Sequence, residues 1–296
     1  MKTLLDTQIK DAAPQIFRRP VLFVESNTQM VQIATFFAIG PQIYVDGITV
    51  IDEVQKRPVG RISSKYIISS ILDLGYPDCL QKKASEIMDS SVMLLEMDSL
   101  MKEALEVFER TRFAFIPIVT KKDDKMDDLD HSFKVVTASL AIRDILPLIA
   151  KANLNIPIGE VSSQLISLDA KTSIRIALDY MLNNGIRNIG IKSNLPHIIN
   201  DRKILEFLLS HNGRTVLFKN GIAGLADLNI VDNLDIISAT TVKSNTTVSR
   251  AAELLMDIHN PCLILEDNEK GEHNYVITPW DIVMKTLLGY NRIIKG

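Results

Sequence analysis

Thr247–Met256 reads TVSRAAELLM, and the same phrase stands three times upstream: TQMVQIATFF at Thr28–Phe37, SLMKEALEVF at Ser99–Phe108 and TSIRIALDYM at Thr172–Met181. Each opens on Ser or Thr, whose side-chain oxygen can accept an orphan backbone N–H at the N-cap of a helix. Apolar residues follow at three- and four-residue spacing, as in Leu100, Ala104, Val107 and Phe108, the period of a helix with one buried stripe. The anchor alanines Ala34, Ala104, Ala177 and Ala252 lie 70, 73 and 75 residues apart. One amphipathic helix is commonplace, but four at a near-constant period are a repeat.

The flanks repeat as well. A strand-like segment precedes each phrase, at Val21–Val24, Val92–Leu95, Leu165–Leu168 and Ile236–Val242. A β-rich burst follows each, at Gln42–Val50, Phe113–Val119, Arg187–Ile191 and Cys262–Leu265. A further strand then runs straight into a second helix, in VGRISSKYIISSIL (Val59–Leu72), ASLAIRDIL (Ala138–Leu146), HIINDRKILEFLL (His197–Leu209) and YVITPWDIV (Tyr275–Val283). Each unit is therefore strand–helix–strand–strand–helix, a mixed α/β (α+β) class. A unit of about 60 residues buries its apolar face poorly alone, so the four units should close their cores in pairs. The break between pairs falls near residue 152, within KANLNIP (Lys151–Pro157).

Composition narrows the function. Of 296 residues 46% are hydrophobic and 23% charged, which excludes a disordered or collagen-like chain. The net charge of −3 supplies no global basic excess for a phosphate backbone, so nucleic acid is a disfavoured partner. No apolar stretch reaches the roughly 18–20 residues that span a bilayer. Met1–Pro20 mixes charges into its apolar positions and lacks the apolar block of a signal peptide, which points to the cytoplasm. Cys79 and Cys262, far apart, read as two packed thiols in a reducing compartment. With 13 glycines, the chain has neither G-x-G-x-x-G nor G-x-x-x-x-G-K-[ST]. The five histidines show no metal-ligand spacing, and no nucleophile elbow is present, so no catalytic residue and no metal site is assigned. An insertion at Thr120–Ser132, TKKDDKMDDLDHS, is acidic but lacks the glycine and closing Glu of a calcium loop, and reads as a solvated hairpin loop.

The junctions resemble the closing motif of cystathionine-β-synthase (CBS) domains, in which Gly, two apolar residues, Thr/Ser, two residues and Asp precede a helix. Tyr275–Asp281, YVITPWD, matches best and lacks only the Gly. KASEIMDSSVMLL (Lys83–Leu95) is similar to the opening of such a domain, and FIPIV (Phe115–Val119) to its middle strand. The resemblance covers the chain from about Phe17 onward. It implies four CBS repeats paired into two Bateman modules. The first module would span 17–151, with repeats at about 17–76 and 83–150, and the second 152–296, with repeats at about 155–211 and 232–291. A helical segment, 1–16, would precede them, packed on its own chain or a neighbour.

The resemblance also implies clefts for adenine nucleotides or related ligands. In the family the junction Thr/Ser bonds phosphate or ribose and the Asp accepts from ribose hydroxyls, while the opening segment and middle strand read adenine. Carried onto this sequence, the fourth repeat keeps Thr278 and Asp281, with Thr240, Thr241 and Val242 at the opening position and Pro261 and Cys262 at the middle strand. Trp280, the only tryptophan, stands where relatives often have Arg; it could stack on a ligand or pack in the core. The second repeat keeps Asp144 but has Ala141 at the Thr position, with Ile116 and Pro117 on its middle strand and Arg112 and Arg143 as nearby charges. The first has Ser63 but Tyr66 for the Asp; the third has Asn200 and Lys203. Arg187, Arg202 and Lys203 together could complete a phosphate site for a nucleotide held by the fourth repeat.

The leading expectation is therefore a non-catalytic regulatory sensor. It would bind AMP, ADP, ATP, S-adenosylmethionine or a cyclic dinucleotide, need no obligatory cofactor, and pass its binding state to a regulated protein. Alternatives are an interaction scaffold with vestigial clefts and, more weakly, a nucleic-acid-associated regulator. Paired units in relatives commonly dimerise through their helices, so a homodimer is expected, although four units in one chain could complete a similar disc alone.

Overall fold

The computed structural model describes residues 2–39, 46–122, 133–193, 195–266 and 274–289. Two one-turn helices, α1 (Lys2–Leu5) and α2 (Ile9–Ala12), and a 3-10 turn at Pro14–Phe17 come first. Repeat 1 runs β1 (Phe23–Glu25), α3 (Met30–Ile39), β2 (Ile48–Ile51), β3 (Pro58–Ile62) and α4 (Ser64–Leu74). A short helix α5 (Ala84–Ile87) leads to repeat 2: β4 (Leu95–Glu96), α6 (Met101–Thr111), β5 (Phe115–Lys122), β6 (Phe133–Ala141) and a 3-10 turn at Ile142–Ile145 passing into α7 (Leu146–Lys151). A lead-in strand β7 (Ser163–Gln164) precedes repeat 3: β8 (Ser167–Asp169), α8 (Ile174–Asn184), β9 (Asn188–Lys192), β10 (His197–Asn200) and α9 (Asp201–Leu209). Helices α10 (His211–Asn220) and α11 (Ile230–Asn233) and a second lead-in strand, β11 (Ile237–Ser238), reach repeat 4. That repeat is β12 (Thr240–Lys243), α12 (Val248–Met256), β13 (Leu263–Glu266), β14 (Tyr275–Ile277) and α13 (Asp281–Gly289), a π-helix. The strand–helix–strand–strand–helix order thus occurs four times.

The quoted phrases are the first helices of the repeats, and one apolar stripe of each is buried, while Val31, Phe36, Ile176 and Met256 lie off that stripe and are exposed. In α6, Met101, Ala104, Leu105, Val107 and Phe108 are buried, and Lys102, Glu106 and Arg110 face out or lie at the rim. Their caps differ from the sequence reading. Thr247 does cap α12, accepting from the Arg250 N–H at 3.2 Å. In repeat 3, however, the capping oxygen belongs to Ser173 rather than Thr172, and in repeat 2 the cap position falls on Leu100 rather than Ser99. Each shift is one residue, and the residue at the cap position bridges to a connector segment: Leu100 with Gln8, and Ser173 with Asn229. The insertion extends the β5–β6 hairpin, in which Lys122 stands opposite Phe133; its residues 123–132 lie outside the described residues, as do 42–45 of the first β-rich burst.

Each sheet borrows from the neighbouring repeat. The sheet of repeat 4 has the order β12-β13-β14-β7, its edge strand β7 coming from the lead-in of repeat 3. Reciprocally, β11 from the lead-in of repeat 4 pairs antiparallel with β10 of repeat 3. In the first half the exchange is reduced to a bridge between Arg61 of β3 and Asp89, and to Arg19 donating to the Ser139 carbonyl on β6 at 2.7 Å. The sheet faces of each half also meet. Leu165, Ile198, Ala239, Cys262, Ile264 and Val276 form one small core between repeats 3 and 4, and Ile51, Val119 and Val136 another between repeats 1 and 2.

The helices pair the other way. One large core joins repeats 1 and 3, with Met30, Ile33, Ile67 and Ile71 against Leu178, Ile204, Leu205 and Leu208. The other joins repeats 2 and 4, with Leu105, Phe108, Leu146 and Ile149 against Val248, Leu255, Val283 and Leu287. The helix faces of the repeats are thus covered within the one chain. Leu5, Ile9, Ala13 and Ile16 enter the second core, and Ile9 and Lys10 donate backbone N–H bonds to the carbonyls of Ser99 and Met97, so the N-terminal segment packs on its own chain. Both cysteines are buried thiols, and burial pushes Cys79 up to about 11 and Cys262 to about 12. Among the described residues no helix is long and apolar enough to cross a membrane.

Phe108 is fully buried where repeats 2 and 4 meet. Phe108→Ala should therefore lower stability by about 3–5 kcal/mol, a value for deletion of a buried aromatic side chain, measured by urea unfolding.

Candidate functional site

The strand-to-helix junctions of repeats 2, 3 and 4 line one cavity, and that of repeat 1 lines a second. At each, an extended cap residue precedes the helix: Ser63, Ala141 and Asn200 all have β-region backbone. Thr278 and Asp281 cap reciprocally. The Asp281 N–H lies 3.3 Å from the Thr278 Oγ1, and the Thr278 N–H and hydroxyl donate to Asp281 Oδ2 at 3.0 and 2.6 Å. That pairing is the capping box read from the other side, and it fixes both side chains before any ligand arrives. The residue two positions past each cap is Lys65, Arg143, Arg202 or Trp280, three cations and the single tryptophan.

Where the repeats meet, a cavity of about 570 Å3 opens, well within the size range of small-molecule sites. Repeat 4 supplies Thr278, Trp280 and Asp281; repeats 2 and 3 supply Arg112, Arg143, Arg187 and Arg202. Four arginines against three aspartates, Asp46, Asp201 and Asp281, leave this wall positive in a chain of net charge −3. Arg112 follows α6 in a left-handed conformation, φ 56°, and its guanidinium lies 5.3 Å from the Trp280 ring centre. Trp280 in turn meets Phe108 edge-on at 6.5 Å, which settles its role as part core and part cavity wall. Arg143 donates to the Leu255, Asp257 and Asn260 carbonyls, tying repeat 2 to repeat 4. A smaller cavity of about 270 Å3, beside Arg61, Lys65 and Tyr66 of repeat 1, shares Arg112, Phe113 and Arg187 with the first.

A regularity not legible in the sequence governs the last residue of each junction: a side chain from the lead-in of the paired repeat bonds to it. Tyr66 donates its hydroxyl to Asp89 at 2.7 Å. Asp144 accepts two bonds from the Arg19 guanidinium, at 2.9 and 2.7 Å. Lys203 donates to Asp235 at 2.7 Å and to Glu206 at 3.0 Å. Asp281 Oδ1 accepts from the Ser163 hydroxyl at 2.6 Å and pairs with Lys285 at 2.9 Å. Three of these pairs hold a group that titrates away from its ordinary value. Burial pushes the Asp144 carboxyl up, and Arg19 offsets only part of that. Burial pulls the Lys203 ammonium down, but bonds to Asp235 and Glu206 leave it raised. Asp89 is pushed up by burial and pulled further down by Tyr66, the Ser91 N–H and Arg61, to about 2.

Several expected site residues are therefore elsewhere. Thr240, Thr241 and Val242 lie on β12, at the opposite edge of the sheet from β7, and do not line either cavity; Thr240 bonds to Asn260 and Thr241 to Glu266. The segment beside Thr278 and Asp281 is instead Ser163–Ile166 from repeat 3. Cys262 is sealed in the core between repeats 3 and 4, while Pro261 reaches the cavity wall. Ile116 and Pro117 are buried in the strand interior; Phe113 and Ala114, just before them, line the cavities. Asp144 and Lys203 are engaged by Arg19 and Asp235 outside both cavities, whereas Arg112 and Arg187 line both. Asp46 and Ser163 also line the cavity, and neither belongs to a repeated motif. Among the described residues no cluster of His, Cys, Asp and Glu could hold a metal ion.

No known family pattern matches the sequence, and no curated protein sequence matches it. Solved structures do. Protein MJ1225 from Methanocaldococcus jannaschii, described as a proposed archaeal homologue of g-AMPK, is 16% identical, with 95% of this chain and 100% of that chain covered and a TM-score of 0.76. The CBS domain pair of protein MJ0100, solved in complex with 5′-methylthioadenosine and S-adenosyl-L-methionine, is 20% identical over 50% of this chain and 98% of its own, with a TM-score of 0.37. A CBS domain-containing protein from Thermotoga maritima is 20% identical over 49% and 96%, with a TM-score of 0.36. With the repeats seen above and the whole-length likeness to MJ1225, the chain has the fold of a four-repeat CBS-domain protein.

The low Asp89 value has a measurable consequence. A carboxyl depressed in the folded chain adds stability above its unfolded value near 4, and that contribution is lost as pH falls toward about 2. Asp89→Asn should therefore cost about 2 kcal/mol more at pH 6 than at pH 2, in urea unfolding of both chains across that range.

Proposed function

We propose that this four-repeat chain is a non-catalytic sensor that binds an adenine nucleotide or related adenosyl ligand in its central cavity and relays occupancy to a regulated partner protein. The observation that carries the reading is the cavity itself. It joins a positive wall, Arg112, Arg187 and Arg202, to the pre-ordered Thr278–Asp281 pair and to the apolar surfaces of Phe113, Leu165 and Trp280. Those are the three chemistries a nucleotide presents: phosphate, a vicinal diol and a flat base. A diol would replace the Ser163 hydroxyl on Asp281 Oδ1, exchanging one O–H donor for another while the Thr278 bonds to Oδ2 stay in place. The adenosyl class rests on the resemblance of Tyr275–Asp281 to the closing motif of CBS domains.

Relay follows from where the walls come from. Arg112 and Arg143 belong to repeat 2, Arg187 and Arg202 to repeat 3, and Trp280 to repeat 4, so one ligand would touch repeats from both halves of the chain. Occupancy then favours the arrangement of the halves that binds it better, by at most the difference in its two affinities, commonly about 1–3 kcal/mol. The scaffold reading also has an observation in its favour. In repeats 1, 2 and 3 the last junction residue is Tyr66, Asp144 or Lys203, each bonded to a lead-in side chain of the paired repeat. All four family-type positions are thus engaged by the chain itself, and the sensor reading assigns ligand binding to the fourth, where the Ser163 hydroxyl on Asp281 can be exchanged for a ligand hydroxyl, and to the cavity beside it.

Thermal unfolding with AMP, ADP, ATP and S-adenosylmethionine decides between them. A ligand at 100 times its Kd should add about 2.7 kcal/mol of stability. Arg112→Gln should weaken a phosphorylated ligand about tenfold, the loss of one charge-assisted bond, without lowering the melting temperature of the free chain. No shift with any of the four compounds would leave the scaffold reading in possession.

A further inference from the structure

Arg187 is the wall shared by the two cavities, and it is held by two carboxylates. Its Nη1 donates to Asp46 Oδ1 at 2.8 Å and its Nε to Asp201 Oδ2 at 3.0 Å. The two acids are not equivalent. Asp201 also accepts from the Ser64 hydroxyl, whereas Asp46 has Arg187 as its single side-chain partner among the described residues. Asp46 is 7% exposed and Arg187 35%, so the guanidinium is open to the cavity while the carboxylate behind it is not. The two residues come from repeats 1 and 3, so their ion pair crosses the helix-packed interface. The position of Asp46 is fixed by its neighbour: a Cβ on Gly47 would fall 2.1 Å from the Phe115 ring and 2.9 Å from the Ile62 carbonyl, so the backbone there is pressed against repeat 2.

A phosphate and a carboxylate compete for the same guanidinium N–H donors, and with Asp201 already on Nε a phosphate cannot join Asp46 at Nη1 without a large Coulomb cost. Resting on the sensor reading above, we propose that Asp46 is a built-in competitor for the ligand's anionic group. A phosphorylated ligand takes Arg187 from Asp46, so the pair between repeats 1 and 3 opens as the site fills. Two consequences follow. Asp46 weakens phosphorylated ligands selectively, leaving uncharged nucleosides unaffected, and the opened pair is a structural output of binding. Asp201, secured by Ser64, stays in place and keeps Arg187 aimed at the cavity.

The test uses the full chain and isothermal titration with tripolyphosphate, ATP and adenosine. Asp46→Asn keeps the shape and removes the charge; it should bind tripolyphosphate and ATP about tenfold more tightly and adenosine with unchanged affinity. In an Arg187→Gln background the same substitution should bring no gain. Equal affinity in wild type and Asp46→Asn, an equal gain for adenosine, or a gain that persists without Arg187 would each overturn the proposal. Amide hydrogen exchange on the wild-type chain gives an independent reading should the variant fold poorly. Saturation with ATP should speed exchange over Gly47–Ile51, and unchanged or slower exchange would count against it. If ATP and adenosine bind wild type while Asp46→Asn changes nothing, only this inference fails. If nothing binds either chain, the sensor reading fails and takes this one with it.

Discussion

The constraint beneath everything in this molecule is that each repeat has two apolar faces and can cover neither alone. A unit of about 60 residues has too much surface for its volume. The sheet face is covered by the next repeat in sequence, and the helix face by the repeat two places along. These two requirements run crosswise, so four units close into a ring of contacts from which none can be removed. Where the four meet, the chain offers helix starts rather than side-chain bulk. The space left there is lined by caps, their N–H groups and the cations that follow them. The cavity is a by-product of how the cores are satisfied.

The repeats and much of the core were legible because both rest on local periodicity. Met101–Phe108 shows its buried stripe in the sequence, and so do the helices containing Ala177 and Ala252, both alanines being fully buried. The junctions were legible for the same reason, as short strings with fixed internal spacing. The partners of those junctions were not. Arg19 stands 125 residues from Asp144, and Ser163 stands 118 from Asp281, in lead-ins that carry no pattern of their own. The exchange of edge strands sets Ser163–Ile166, rather than Thr240–Val242, beside Thr278 and Asp281 on the cavity wall. Pattern reading follows the chain, and this site is assembled across it.

The four cross-repeat bonds share a place but not a chemistry. In one the junction residue is the acid and the lead-in the base, Asp144 with Arg19; in another the signs are reversed, Lys203 with Asp235. Tyr66 with Asp89 and Asp281 with Ser163 replace the ion pair by an O–H donor to a carboxylate. A complementary pair at each of four equivalent points keeps the lead-in strands seated whatever the residue types. It also explains why repeats that look degraded against the family pattern still fold. The departures at Tyr66 and Lys203 are matched by residues elsewhere rather than left unpaired.

The two large cores also differ in how soon a growing chain can complete them. The core of repeats 1 and 3 draws on residues between Val24 and Leu234, whereas that of repeats 2 and 4 needs both Leu5 and Leu287. During synthesis the first can be finished while the last strands and helix are still unmade. The second must wait, its N-terminal helices seated on a half-built surface, until the final turn of α13 arrives. The apolar faces of α6 and α7 are thus the longest exposed to solvent, and the stretch of time between residues 150 and 287 is when this chain most needs protection from its neighbours.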